Sequence, residues 1–287
     1  MRFCFIIEAP YRNEPMPVVV ARQLKEWGHD VDILEPQASI TYLSGLSRAG
    51  YDAYVLKTVS DGPGLSILEA AEAAGIAAIN RPQAIRQVRD KAVAITRAQA
   101  HGLPVPHTYF VAHRDLLYQV PEEDYPLVIK PTNGSSCRGI YKVTSQDDLA
   151  TLDLTGAEGC YLLAQHYVEN GNFDIKLYVA GTQVYGVAKR SPLHPRVEVD
   201  KHRIPITIEM RALALQVGDI FGLDIYGLDV VETTNGSMVV DINDFPSFGQ
   251  VPDATTIVAA HIIEVASRRV ARRLNNAPPA RLIDISA

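Results

Sequence analysis

The chain has 287 residues, 47% of them apolar and 21% charged, with 27 Lys and Arg against 33 Asp and Glu for a net charge of −6. That composition builds a large core and excludes disorder as the working state, while the length exceeds one ordinary domain and argues for two or three packed lobes. The acidic balance gives no nucleic-acid footprint: the arginine-rich stretch Arg268, Arg269, Arg272 and Arg273 is short and suits a helix C-terminus. No run approaches about 18 uncharged apolar residues, and Phe3 to Ile7 is too short for a signal-peptide core, so neither membrane nor secretory route is expected. Three cysteines, Cys4, Cys137 and Cys160, lack Cys-x-x-Cys spacing and fit a reducing cytoplasm better than a disulfide framework or a zinc cage.

In chain order, residues 3–7 read as a buried strand, and Val20, Leu24 and Trp27 mark a helix stopped by Gly28. Strands at 31–34, 53–56 and 77–79 and a helix over 65–74 continue the alternation, which predicts a parallel α/β sheet for roughly the first 80 residues. A helix over 84–101 follows, with Ile85, Val88, Ala92 and Ile95 on one face. Strands at 108–111, 127–129 and 140–143 then alternate with turns, and a short helix starts after Ser145, which suggests a mostly antiparallel α+β lobe. Further strands fall at 161–165, 174–179 and 184–188, then a helix over 207–221 ended by Gly222. Strands 226–232 and 238–242 are joined by Asn235-Gly236, a strong hairpin signal, and a last helix carries Val258, Ile262 and Val265.

Three places carry chemistry. Leu127-Val128-Ile129-Lys130 is a buried strand whose lysine enters a loop of small residues, Gly134, Ser135, Ser136 and Gly139 among them, so that an ammonium and several backbone N–H groups can meet one phosphate. An ordinary hairpin with a solvated lysine is the plainer reading of that loop alone. Period-2 geometry puts Asp241 and Asn243 on one strand face, and the hairpin brings Asp229 alongside; such oxygens suit magnesium, although a solvated polar sheet face gives the same pattern. Lys176 and Arg190, on strands joined at Gly181, can face one anion, or each can pair with Asp174 or Glu169.

In this order the sites resemble the ATP-grasp superfamily from about Phe3 to Ala266. The resemblance is carried by Arg89-Asp90-Lys91, Val128-Ile129-Lys130-Pro131, Ala164-Gln165-His166-Tyr167-Val168, Asp174-Ile175-Lys176 and Asp241 through Ser247. Asn80 to Ile85, Gly102 to Pro106 and Gly227-Leu228-Asp229-Val230 are similar to the ribosomal-protein glutamate ligases and the lysine-biosynthesis carrier ligases. The resemblance implies an N-terminal α/β lobe over residues 1–82, a central ATP-grasp lobe over 83–164 and a C-terminal lobe over 165–287. It implies ATP and Mg2+ as cofactors. Lys91, Lys130 and the loop from Gly134 to Gly139 would hold phosphates, Gln165, Tyr167 and Val168 the adenine, the last two through backbone groups, and Asp174 the ribose. Asp229, Asp241 and Asn243 would bind magnesium, Arg190 would steady the transferred phosphoryl group, and Lys176 would face phosphate or substrate. The implied reaction joins a small-molecule carboxylate to an amine through an acyl phosphate, with a peptide or carrier protein as further candidate partners and self-association left open.

Other features resemble the inositol polyphosphate kinases of the same fold: Asp241-Ile242-Asn243 with Phe245-Pro246, Asp174 to Tyr178, Lys189 to Leu193 and Leu56-Lys57-Thr58. Asp241 stands where the ligases usually carry Glu, and the short stretch from Arg196 to Ile204 lacks the longer substrate loop of the ribosomal-protein ligases. A kinase of an anionic polyol, gripping phosphates with Lys57, Lys176, Arg190 and Arg196, is therefore the rival expectation, and a nucleotide sensor without turnover the third.

Overall fold

The computed structural model describes residues 1–58, 62–132, 139–153, 161–171, 173–194, 198–234 and 236–275, the last four by backbone alone. In chain order the elements are β1 (Arg2–Ile7), α1 (Pro15–Glu26), β2 (Asp30–Leu34), β3 (Ala53–Lys57), α2 (Pro63–Ala73), β4 (Ala77–Ile79), α3 (Pro82–Arg89) and α4 (Lys91–Ala100). β5 (Thr108–Val111), β6 (Leu127–Pro131), β7 (Tyr141–Val143), β8 (Leu162–His166), β9 (Phe173–Ala180), β10 (Gln183–Arg190) and β11 (His202–Ile204) follow. α5 (Ile208–Phe221), β12 (Ile225–Thr233), β13 (Gly236–Asp244) and α6 (Ala254–Asn275) are the last elements among the described residues.

These strands form three sheets. β2-β1-β3-β4 is parallel throughout, β5-β8-β6-β7 and β11-β10-β9-β12-β13 are antiparallel, and the mixed α/β expectation holds. A parallel sheet needs cover on both faces. Phe3, Phe5 and Val55 on one face pack with Val20 and Leu24 of α1 and with Val258 and Ile262 of α6, while Ile6 and Leu56 on the other pack with Leu65 and Leu68 of α2. α3 and α4 press Ala84, Val88, Ala94 and Ala98 onto the five-stranded sheet, beside Leu177 and Leu228.

Several details depart from the sequence reading. The helix expected over 84–101 is two helices, because Asp90 turns to φ −80°, ψ 98° and its carboxylate accepts from the Ala92 and Val93 N–H groups as an N-cap. The buried face of α4 is accordingly Ala94 and Ala98 rather than Ala92 and Ile95. Trp27 caps α1 and is 41% exposed, and the element after Ser145 is a 3-10 turn held by a capping box with Asp148. β11 has no counterpart in the sequence reading. Arg269 does not serve a helix terminus; it reaches Ala78 O and, at 2.9 Å, Asp224 Oδ2. The α5 boundaries stand where Thr207 and Gly222 place them: Thr207 Oγ1 accepts from Met210 N at 3.1 Å, and Gly222 takes φ +71°. Of the turn Asn235-Gly236, Asn235 lies outside the described residues.

Asn80 ties the parallel sheet to the five-stranded one. Its side chain is buried, accepts from Asp224 N and Ile225 N at 2.8 Å each, and donates to Ile225 O. Asn80→Ala leaves the Asp224 and Ile225 N–H groups without this partner, while Ile225 O keeps the Phe245 N–H, and is expected to lower unfolding stability by about 3 kcal/mol. Chemical denaturation of the two proteins side by side measures it.

Candidate active site

Register explains why the charged residues meet. β9 pairs antiparallel with β12 so that Lys176 lies opposite Asp229, β12 pairs with β13 so that Asp229 lies opposite Asp241, and on the other side β10 sets Lys189 opposite Asp174. Residues directly opposite share a face, and i, i+2 residues share it too. Lys176, Lys189, Asp174, Asp229, Asp241 and Asn243 therefore project from one side of the sheet. Gly227 keeps the row open, since a Cβ there would stand 3.1 Å from Lys176 Cε and from Pro246 Cγ.

The carboxylates are closely partnered. Lys176 Nζ donates to Asp229 Oδ2 at 2.9 Å and Lys189 Nζ lies 2.6 Å from Asp229 Oδ1. Lys91, at the start of α4 beside the Asp90 cap, donates to Asp241 Oδ1. Asn243 Nδ2 reaches Asp229 Oδ2 at 3.3 Å and Asp241 Oδ2 at 3.4 Å. Burial opposes ionisation of Asp229, but Lys176 and Lys189 overcome it and hold its carboxyl well below the usual carboxylate range.

From the central sheet, Lys130 is buried and donates to Gln165 Oε1 at 3.0 Å and to Val240 O at 2.9 Å. Burial pushes its pKa down to about 8. Gln165 in turn donates to Thr108 Oγ1 at 3.0 Å. Asp174 accepts from Asn170 Nδ2 at 3.1 Å, and burial raises its pKa despite the hydrogen bond from Ser191. The Tyr167 hydroxyl pairs with His194 Nε2 at 2.9 Å, and Lys142 Nζ lies 3.5 Å above its ring.

A cavity of about 350 Å³ opens between the three sheets. Lys91, Lys130, Gln165, Tyr167, Val168, Asp174, Lys176, Asp229, Asp241 and Asn243 all line it, beside apolar Val128, Ile140, Leu193 and Ile242. Gly139 has φ +72° next to Pro131 and precedes the lining residue Ile140, whereas Gly134, Ser135 and Ser136 lie outside the described residues. The Tyr167 N–H donates to Pro126 O at 2.9 Å, so of the backbone groups assigned to adenine that donor is engaged.

Arg190 is a correction. The register pairs it with Phe173, an odd step from Lys176, so it points to the opposite face; it is exposed and does not line the cavity. Lys189 takes the place. A two-residue turn at Gly181-Thr182 would have shown this in the sequence, since it sets Lys176 against Val187 and brings Lys189 to the same face. Arg89 and Asp244 were also missed as a unit: the guanidinium grips both Asp244 oxygens at 2.9 and 3.0 Å and donates to Thr58 O at 2.7 Å. Tyr11, Glu14 and Lys57 close the N-terminal end of the cavity, with Lys57 Nζ donating to Phe245 O at 2.8 Å and lying 3.4 Å from Glu14 Oε2.

Two carboxylates and a carboxamide within hydrogen-bond reach of one another supply hard oxygen ligands, and among the described residues no cluster of three or more His, Cys, Asp or Glu offers a transition-metal cage. Lysines from two sheets beside an apolar slot fit a nucleotide triphosphate.

The RimK-like ATP-grasp domain family matches residues 88–266, well over half of the chain. A probable alpha-L-glutamate ligase of Haemophilus influenzae (strain PittEE) is 26% identical over 270 residues, spanning 84% of this chain and 90% of that protein. The crystal structure of a RimK domain protein ATP-grasp from Sphaerobacter thermophilus DSM 20745 superposes with a TM-score of 0.72 at 19% identity, covering 92% of this chain and 100% of that one. The ATP-grasp ligase PsnB, solved with a minimal precursor, Mg and ADP, superposes at 0.69 with 18% identity, covering 92% and 98%. The chain belongs to the RimK-like ATP-grasp family of ADP-forming carboxylate–amine ligases.

Proposed function

We propose that this ligase binds Mg-ATP in the cavity between its sheets, activates a substrate carboxylate as an acyl phosphate and passes the acyl group to an amine. The observation that carries the reading is the row Lys189, Lys176, Asp229, Asp241 facing Lys91 and Lys130 across one cavity. Bound Mg-ATP supplies the phosphoryl donor and the charge neutralisation that its transfer requires. Lys91 and Lys130 bind phosphate oxygens, Asp229, Asp241 and Asn243 present oxygens to the metal, and Lys176 and Lys189 stabilise charge on the migrating group. Gln165, Val168 and Asp174 border the slot for the base and ribose. The substrate carboxylate oxygen attacks the terminal phosphorus as the bond to ADP breaks. The amine then attacks the acyl carbon, inorganic phosphate leaves, and the amine proton passes to solvent. The acceptors are small molecules, with a peptide or carrier protein as the larger alternative, a choice supported by the precursor bound to PsnB.

Among the described residues the cations of the polyol-kinase reading do not form a free basic patch. Lys57 is held by Phe245 O and Glu14, Arg89 by Asp244, and Lys176 by Asp229, while Arg190 faces away and Arg196 lies outside the described residues. At the N-terminal end of the cavity a polyanionic acceptor would have to break the Lys57 and Arg89 contacts, which hold the backbone there.

Two outcomes are expected. Incubation with ATP, Mg2+, a panel of carboxylates and hydroxylamine should release ADP and form a hydroxamate; a stable phosphomonoester with no hydroxamate would overturn the ligase reading. Secondly, affinity for Mg-ATP should fall as pH rises through about 8, where Lys130 loses its proton, with the midpoint moved upward in the complex because phosphate favours the charged form. Lys130→Arg should flatten that profile between pH 7 and 9 in titration calorimetry. Ligand-free stability moves the other way: between about 8 and 10.5 the unfolded chain holds the Lys130 proton and the folded one does not, so this lysine's contribution rises with pH.

A further inference from the structure

Both carboxylates assigned to the metal are occupied by cations and donors of the protein itself. Asp229 has an ammonium at each oxygen, Lys176 on Oδ2 at 2.9 Å and Lys189 beside Oδ1 at 2.6 Å, and Asp241 Oδ1 takes Lys91. Asn243 turns its Nδ2, not its carbonyl oxygen, toward both carboxylates. A cation would need the amide turned over and at least one ammonium displaced from a carboxylate whose side chain is 13% exposed. An ammonium displaced there with no new partner is a buried, unpaired charge, which is strongly unfavourable.

The charge of the whole cavity points the same way. Among the described residues six cationic side chains and five carboxylates line it, so it carries an excess positive charge toward a bare divalent cation. A triphosphate reverses that sign, and it also offers the lysines oxygens in exchange for those they give up. Lys176 and Lys189 stand on adjacent strands, each on a flexible four-carbon stem with three donors, so both can swing from Asp229 to a phosphate without backbone movement.

We propose that Lys176 and Lys189 are resident counter-ions of the metal site: they hold Asp229 until a triphosphate draws them off, so that a divalent cation enters only together with the nucleotide. Besides its contact with the phosphate, Lys189 thereby positions Asp229 in the nucleotide-free protein. The inference rests on the reading that Asp229, Asp241 and Asn243 hold the metal, and it adds an order to their occupation. By linkage, the nucleotide raises metal affinity by the same factor as the metal raises nucleotide affinity.

Electron paramagnetic resonance of free Mn2+ tests this without turnover. Full-length protein alone should bind Mn2+ at least a hundredfold more weakly than the same protein with a non-hydrolysable ATP analogue. Lys189→Met, which keeps one ammonium, Lys176, on Asp229, should bind Mn2+ without nucleotide at least tenfold more tightly than the parent, and Lys176→Met, which keeps the other, should do the same. Lys189→Arg keeps the charge and should behave as the parent, which a loss of packing would not predict. Equal Mn2+ affinity with and without analogue, or methionine variants that bind no better than the parent, would overturn the proposal while leaving the metal site standing. Absence of Mn2+ binding even with the analogue bound would remove the metal site and the proposal together.

Discussion

Asp229 cannot be buried as an anion unless cations are buried with it, and the five-stranded sheet is arranged around that requirement. Its strand opposes Lys176 on one side and Asp241 on the other, so the repulsion between two facing carboxylates is offset by ammonium groups from β9, β10 and α4. Lys91 arrives there because α3 and α4 break at Asp90, and Lys130 arrives from a different sheet. A site that needs several cations on two anions thus draws them from elements far apart in the chain. The same convergence gives phosphate and metal neighbouring positions.

Much of this was legible in the sequence wherever one element carried its own signal. Thr207 and Gly222 bounded α5 because capping and left-handed backbone are local chemistry, and Asp241 with Asn243 shared a face because a strand has period two. Misreadings came where two elements had to be aligned. Arg190 was chosen over Lys189 since face depends on register, and a single residue of error exchanges inward for outward. Asp90 looked like a helical position by periodicity, yet as an N-cap it competes with helix continuation by satisfying two N–H groups itself. The Arg89–Asp244 fork joins residues from α3 and β13, and no spacing in the sequence pairs them.

The far end of the cavity is fixed by polar ties together with apolar packing. Arg89 joins Thr58 to Asp244, Lys57 holds the Phe245 carbonyl, and Phe245 itself takes φ +41°, with Phe248 at +52° stacked on Tyr178 at 5.2 Å. Non-glycine residues in that region cost free energy and persist where their surroundings hold them. Here the buried Phe245 and Phe248 rings and the Lys57 ammonium do so, and the held backbone presents Pro246 and Ser247 to the cavity. Shape at this end is therefore set before any acceptor arrives.

The return of α6 to the first sheet bears on how the protein is made. Phe3 and Phe5 share one buried cluster with Val258 and Ile262 of α6, which leave the ribosome long after them. Such pairing from opposite ends of a chain raises contact order and slows folding. During synthesis one face of the nascent parallel sheet has α1 but not α6, leaving apolar surface open to solvent until α6 has been made. Truncation before α6 would prolong that exposure indefinitely, so the parallel sheet, although made early, reaches its final packing only after the α6 residues have been made.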